Sequence, residues 1–419
     1  MASRAAGDVP RGTLGRTFWT LWGASTMSNL ADGVFKVVVP LIAVTLTRDP
    51  VLIAGLTVSA SLPWLLFALP AGAIIDRADR RRVMRIADCL RAALALILTA
   101  AVAGDLATIW VLYAISLGIG VAEVFYDTSA QSILPQVVTR VQLPRANGRL
   151  YAAELTANEF VGPPLGGLVM GIGAVVALAL PGSLWALAVL ALLFVRGRFR
   201  VERVVRTTLR ADIGEGLRFL WHNSVLRTLA IMTGLSNFAG NAVFALLVLY
   251  AVGPASAMHL TEAQYGLLLT SSAIGSLVGS LVAERVVRLV GRSAGLAVTV
   301  VGSSLTALIP GLTANPWIIG AAYALGGFTI AIWNITVVSL RQGITPPALL
   351  GRLNSAYRLL AWGSIPLGAA IGGVLGSWLG LRPVFFIMAG VSLSLLFLMP
   401  GVSNARLDRA EREADNPGG

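Results

Sequence analysis

The chain has 419 residues, of which 56% are hydrophobic and 12% charged, and its mean hydropathy is +0.79. Soluble domains carry about 25% charge, so the two or three soluble domains that length alone would suggest are excluded. The net charge of +12 would fit a nucleic-acid binder, but the arginines sit in short segments between long apolar runs, where they act as topology determinants.

A bilayer crossing takes about 20 mostly apolar residues. The first apolar run, 17–46, follows Arg4, Arg11 and Arg16. It is longer than the apolar core of a signal peptide, about 7–15 residues, and is expected to be the first span. It carries Asp32 and, one turn later on the same face, Lys36. The two read either as a local ion pair or as a cavity-facing acid that takes a proton or a cationic substrate. The second run, 51–75, ends in Gly72-Ala-Ile-Ile-Asp76-Arg77-Ala-Asp-Arg80-Arg81-Arg82, a cationic knot on a short turn.

The third run, 83–103, holds the lone cysteine, Cys89, which excludes an internal disulfide, and an Asp88–Arg91 pair spaced to satisfy itself. The fourth, 107–130, brings Glu123 and Asp127 one turn apart. The fifth, 148–171, contains Glu154, Glu159 and Gly162-Pro163-Pro164-Leu165-Gly166-Gly167. Each charge placed mid-membrane costs about 2.5–3.5 kcal/mol on insertion scales, so each needs a role. Glu159 has no cation at i±3 or i±4 and is the expected coupling acid, ahead of Asp32. A sixth run covers 174–195.

The polar stretch 196–223 holds Asp212-Ile-Gly-Glu215-Gly-Leu-Arg218-Phe-Leu-Trp221, the spacing of a short amphipathic helix at an interface. Six further runs follow at 226–252, 262–283, 294–313, 316–340, 352–376 and 382–402. They are poor in mid-span acids and offer Asn237, Asn241, Trp333 and Asn334. The expected organisation is a six-helix half over 1–195, a linker over 196–225, a second half over 226–402 and a tail over 403–419.

Arginines separate by side. One set of loops holds Arg80, Arg81 and Arg82, Arg140 and Arg145, the run Arg196–Arg218, Arg285, Arg288, Arg292 and Arg341. The other set carries only Arg48 and Arg382. The arginine-rich side is expected to be cytoplasmic, with both termini there and an even number of spans.

The pattern G-x-x-x-D-R-x-x-R-R formed by Gly72, Asp76, Arg77, Arg80 and Arg81 resembles the signature between the second and third helices of major facilitator superfamily transporters. Internal echoes agree with such a repeat: Gly148-Arg149-Leu150 with Gly351-Arg352-Leu353, Pro163 with Pro366, and Gly166-Gly167 with Gly372-Gly373. The resemblance implies an all-α integral membrane protein of twelve transmembrane helices in two pseudo-symmetric six-helix halves, with the substrate site at mid-depth between them. Gly162, Pro163, Gly166 and Gly167 resemble the core of the antiporter motif, although Arg149 and Asn158 stand where its upstream glycines belong. The text Asp212–Trp221 and the paired Gly-Arg-Leu starts look most like the branch containing the enterobactin exporter and macrolide-efflux proteins. The family's R-x-x-Q-G in the fourth helix is missing.

The resemblance further implies a gate in which Asp76 faces the N-terminus of the helix near Gly351 and Arg80 pairs with Asp127. It implies a cavity walled by the first, fourth, seventh and tenth helices, with Asp32, Glu123, Asn237, Asn241, Trp333 and Asn334 at mid-depth. With Lys36 and Arg91 counted as the intramembrane cations, a neutral or cationic amphiphile is favoured over an anionic siderophore. No G-x-S-x-G, P-loop or H-E-x-x-H appears, and His222 and His259 lie too far apart for a metal pair. The expectation is therefore a non-enzyme without cofactor, driven by a proton gradient. It exports a hydrophobic drug or natural product across a bacterial inner or cytoplasmic membrane. Its partners are the lipid bilayer, a small molecule and protons, with no nucleic acid, and it is expected to be a monomer. The alternatives are a siderophore exporter, an uptake carrier, and a non-transporting sensor or scaffold.

Overall fold

The computed structural model describes residues 13–75, 78–195, 197, 199, 209–346 and 349–415. The described chain is helical, with one isolated bridge between Val252 and Leu260. In lipid every backbone polar group must be satisfied within the segment, and a helix does this for an apolar run. The first half contains α1 (Arg16–Leu46), α2 (Pro50–Ile75), α3 (Arg80–Ala103) and α4 (Ile109–Val137). Its fifth helix, α5, runs through Leu143–Glu154, Leu155–Val161 and Gly162–Ile172, and α6 (Ala174–Leu193) closes the half. The linker helix α7 (Leu209–His222) leads to α8 (Ser224–Ala251), α9 (Glu262–Val290), α10 (Arg292–Leu312) and α11 (Pro316–Ile344). Then come α12 (Leu350–Leu379), α13 (Leu381–Ser394, continued as a 3₁₀ turn through Leu395–Val402) and a tail helix, α14 (Asn404–Asp415).

Eleven of these helices are long and apolar enough to cross a bilayer. The twelfth span is α5, the broken one. Pro163 and Pro164 supply no N–H to the carbonyls one turn back, at Glu159 and Phe160, and their rings crowd those carbonyls. The helix opens there into a π-helical turn, Leu155–Val161, which carries Glu159. Several helices run past the apolar stretch: α4 reaches Val137, α9 reaches Val290, and α11 reaches Ile344, ends that a hydropathy limit of 130, 283 and 340 misses.

Side chains facing outward are apolar, as lipid requires. Trp110, Trp317 and Trp378 are exposed near the arginine-poor ends of α4, α11 and α12, the positions of an interfacial aromatic belt. The linker helix packs on the start of α12: Glu215 pairs with Arg352 at 2.5 Å, Gly216 lies against the Arg352 backbone, and Leu220 is buried. The tail helix is held by Arg292, which pairs with Asp408 and, at 2.6 Å, with Glu411.

The repeated glycine pairs explain how the halves fit. Gly166 lies on the backbone of Val34 in α1, and Gly372 lies on Ala242 in α8, the equivalent helix of its own half. Gly167 instead meets Glu262 and Ala263 of α9, and Gly373 meets Pro50, Val51 and Ala54 of α2, each in the opposite half. The first glycine of each pair packs within its half and the second closes the seam. Small residues serve here because van der Waals contact, rather than water exclusion, drives helix association in lipid.

Candidate functional site

Helical spacing puts Ser28, Asp32 and Lys36 of α1 on one face, yet their partners lie on different helices. Arg91 of α3 is fully buried, with its Nη1 3.1 Å from Ser28 Oγ, 3.3 Å from Asp32 Oδ1 and 3.5 Å from Asp88 Oδ1. Ser28 Oγ donates to Asp88 at 3.0 Å, and the rings of Tyr126 and Trp185 lie 5.0 and 5.8 Å from the guanidinium. Two carboxylates thus share one buried cation. Removing that cation strands both, at a cost of about 3–5 kcal/mol. Arg91→Ala is accordingly expected to lower the unfolding temperature sharply or abolish membrane accumulation, read by size-exclusion profile and thermal shift.

Lys36 reaches away from Asp32 to Glu159 Oε1 on α5, at 2.9 Å, with both side chains roughly half exposed (44% and 47%). This corrects two expectations. Lys36 and Asp32 do not form the local pair, because Asp32 is already bound to Arg91 across α1–α3. Glu159 does have a cation, supplied by another helix and therefore invisible to an i±4 search. Asp32 and Glu123 are not in the cavity lining described below, a third departure and the first that concerns the expected walls.

Asp127 and Glu154 line a separate cleft of about 320 Å³ toward the arginine-rich end, with Ser25, Asn29, Gln131 and Tyr151. Among the described residues no ion pair joins Arg80 to Asp127, so the expected gate pair is not present in this conformation. The knot clasps the chain that follows α6. Arg81 donates to the Val195 carbonyl, and the Arg80 N–H donates to the Phe199 carbonyl at 3.2 Å. Asp79 caps α3 through the Arg82 N–H and also accepts from Phe199 N at 3.3 Å. Gly72 has open space at its Cβ position, whereas Asp76 and Arg77 lie outside the described residues.

A cavity of about 710 Å³ lies at the junction of the halves. Lys36, Glu159 and Pro163 line it from the first half; Asn237, Asn241, Trp333 and Asn334 line it from the second. Asn237 donates to the Ala361 carbonyl at 2.6 Å and Asn241 to the Asn237 carbonyl at 2.9 Å. Trp333 Nε1 donates to Thr233 Oγ1 at 3.2 Å, and Thr233 bonds the Tyr357 hydroxyl at 2.5 Å.

Two cavity cations escaped the sequence reading. Arg341 lies with its guanidinium 4.5 Å from the Tyr357 ring; Arg358 lies 4.3 Å from Trp362 and 5.7 Å from Trp64, whose rings meet edge-on at 4.7 Å. Arg341 was assigned to a loop because the apolar run ends before the helix does. Arg358 and Trp362, at i, i+4 well inside a span, were a legible signal.

Among the described residues, close backbone approaches between the halves lie toward the arginine-poor end: Gly167 on Glu262, Gly266 on Pro163 and Gly373 on Pro50. The same end holds a hydrogen bond between them, Arg48 Nη1 to the Val252 carbonyl at 2.9 Å, beneath Gly253 with φ +91°. A charged hydrogen bond contributes about 1.5–3 kcal/mol, so Arg48→Met is expected to open this end about tenfold more often. Alkylation of a cysteine at Val58, half-buried beside the seam, checks it in a Cys89→Ser background.

The profile of the transmembrane secretion effector family matches residues 14–417. The chain belongs to this family of the major facilitator superfamily. It is a multi-pass membrane transporter of the efflux branch, not an enzyme. The multidrug efflux pump Tap of Mycolicibacterium fortuitum is 29% identical over 415 residues, covering 94% of this chain and 95% of that protein. Macrolide efflux protein A of Streptococcus pyogenes is 20% identical, covering 93% and 96%. The solved nucleoside transporter NupG superposes with a TM-score of 0.74 at 15% identity, covering 93% of this chain and 100% of that one. A bacterial homologue of the iron transporter ferroportin in an inward-facing state gives 0.69 at 18%, covering 96% and 100%. These two likenesses show the fold. The twelve-helix expectation is met.

Proposed function

We propose that the protein is a proton-coupled exporter that moves an amphiphilic small molecule, a drug or natural product, by alternating access in a bacterial cytoplasmic membrane. The single observation that carries the coupling is the Lys36–Glu159 pair. It links α1 to α5 on the wall of the cavity, on the π-helical turn just before the glycines that meet the other half. Glu159 is the sole carboxylate in the cavity lining among the described residues, so a proton entering with solvent meets it first. Neutralising it frees Lys36 and loosens the α1–α5 contact that positions the seam. The arginine-rich end faces the cytoplasm with both termini, and the structure then corresponds to an inward-open state. On this reading Asp76, Arg77 and Arg80 close that end in the opposite state, at the N-terminus of α12. The exporters among its relatives support the direction of transport.

The test is accumulation of a panel of fluorescent dyes in cells making the protein. Lower accumulation than in cells lacking it, restored by a protonophore, is the expected result. Equal accumulation, or a difference that survives the protonophore, rejects proton-coupled export.

A further inference from the structure

The charge balance of the cavity is unequal between its two halves. Lys36 and Glu159 neutralise one another on the first half, and no other carboxylate is among the described residues of the lining. Arg341 and Arg358 face the same space from α11 and α12, and among the described residues neither makes an ion pair. Both guanidinium groups lie instead against aromatic rings, at 4.5 Å from Tyr357 and 4.3 Å from Trp362. Arg341 Nε is buried without a hydrogen-bond partner. A partly buried guanidinium with no ion-pair partner leaves donors that an anionic ligand can accept from.

We infer that this cavity selects an aromatic molecule bearing a carboxylate or phenolate, held by Arg341 and Arg358 while its rings stack in the Trp333, Tyr357 and Trp362 wall. The inference rests on the transport reading above and narrows it to a substrate class, reversing the neutral or cationic preference drawn from sequence. A planar fork matches a carboxylate bidentately, and Arg stacked on aromatic rings keeps its donors directed at the cavity rather than at a neighbour. Arg358 adds a feature that a passive wall would lack. It touches Trp64 of α2 as well as Trp362 of α12, so an anion bound to it reports on the junction of the two halves. In the proposed orientation, an inside-negative potential also favours outward movement of an anion.

The experiment compares fluorescein, an aromatic carboxylate and phenolate, with rhodamine 6G, a cation on the same ring system. Binding to purified protein is read by fluorescence anisotropy, and transport is read separately in proteoliposomes. Fluorescein is expected to bind about tenfold more tightly than rhodamine 6G, with affinity falling as salt rises. Arg341→Gln and Arg358→Gln are each expected to weaken fluorescein about tenfold without weakening the cationic rhodamine 6G, which loses a like charge from its site, with partial recovery of fluorescein in Arg358→Lys. Tighter binding of rhodamine 6G, or fluorescein affinity unmoved in both glutamine variants, overturns the inference. Should the glutamine variants not fold, the preference of the unmodified protein between the two dyes decides. Charge-selective binding without gradient-driven transport leaves the site assignment standing and rejects the exporter reading; gradient-driven transport of rhodamine 6G alone does the reverse.

Discussion

Glu159→Gln is expected to abolish proton-driven accumulation while leaving a folded protein that still equilibrates its substrate. The reason lies in where the Lys36–Glu159 pair sits. Both side chains are close to half exposed, so the 2.9 Å ion pair is screened and contributes no more than about 1 kcal/mol to folding. Its loss is therefore a change of function rather than of stability. Glutamine keeps the shape and a hydrogen-bond acceptor for Lys36 but cannot exchange a proton. Uptake into inverted vesicles measured from pH 6 to pH 8 should lose its pH dependence. Asp32→Asn is the necessary comparison, since Asp32 shares Arg91 with Asp88 in the interior of the first half. Retained pH dependence in Glu159→Gln, with loss in Asp32→Asn, would move the coupling role to the buried network.

Gly167→Val is expected to stop transport completely by a different route. A Cβ at Gly167 would overlap the Glu262 carbonyl and lie 3.1 Å from Ala263 Cα. Backbone at the start of α9 cannot move aside as a flexible side chain can, so the seam cannot close. The protein would be held with its arginine-poor end open. A cysteine at Val58 should then alkylate readily, and one at Asn29, in the cleft near Asp127, should become protected. Gly15, which has nothing within 4 Å of its Cβ position, provides the control: Gly15→Ala should transport normally. Normal transport by Gly167→Val would mean that the seam is not part of the cycle.

How much of this was legible in the sequence differs between scaffold and site. The twelve spans, the pseudo-repeat and the glycine pairs follow from apolar length and from small residues at matched positions, which are local properties of the chain. The π-helical turn in α5 was partly legible, because consecutive prolines must disturb the carbonyls preceding them. The Asp88–Arg91 pair, three residues apart on α3, was legible from its spacing, but the partners on other helices were not. Lys36 with Glu159 and Asp32 with Arg91 cross between helices, and a spacing rule sees only neighbours on one helix. The cavity-facing arginines were missed for a third reason. Arg341 lies on a helix that continues past its apolar run, and Arg358 enters the membrane by stacking on Trp362 and Trp64, contacts that let a cation persist where hydropathy forbids it.

On the proposed reading, substrate movement is tied to a proton gradient through one acid, Glu159, on the wall of the cavity. This coupling is tested most directly in proteoliposomes containing the unmodified protein or Glu159→Gln, with a pH gradient imposed in either direction. For the unmodified protein, fluorescein should accumulate against its own gradient, and reversing the pH gradient should reverse the direction of accumulation. For Glu159→Gln it should only equilibrate. Identical equilibration by both proteins, with or without the gradient, would contradict the coupling and leave a facilitator of the same fold.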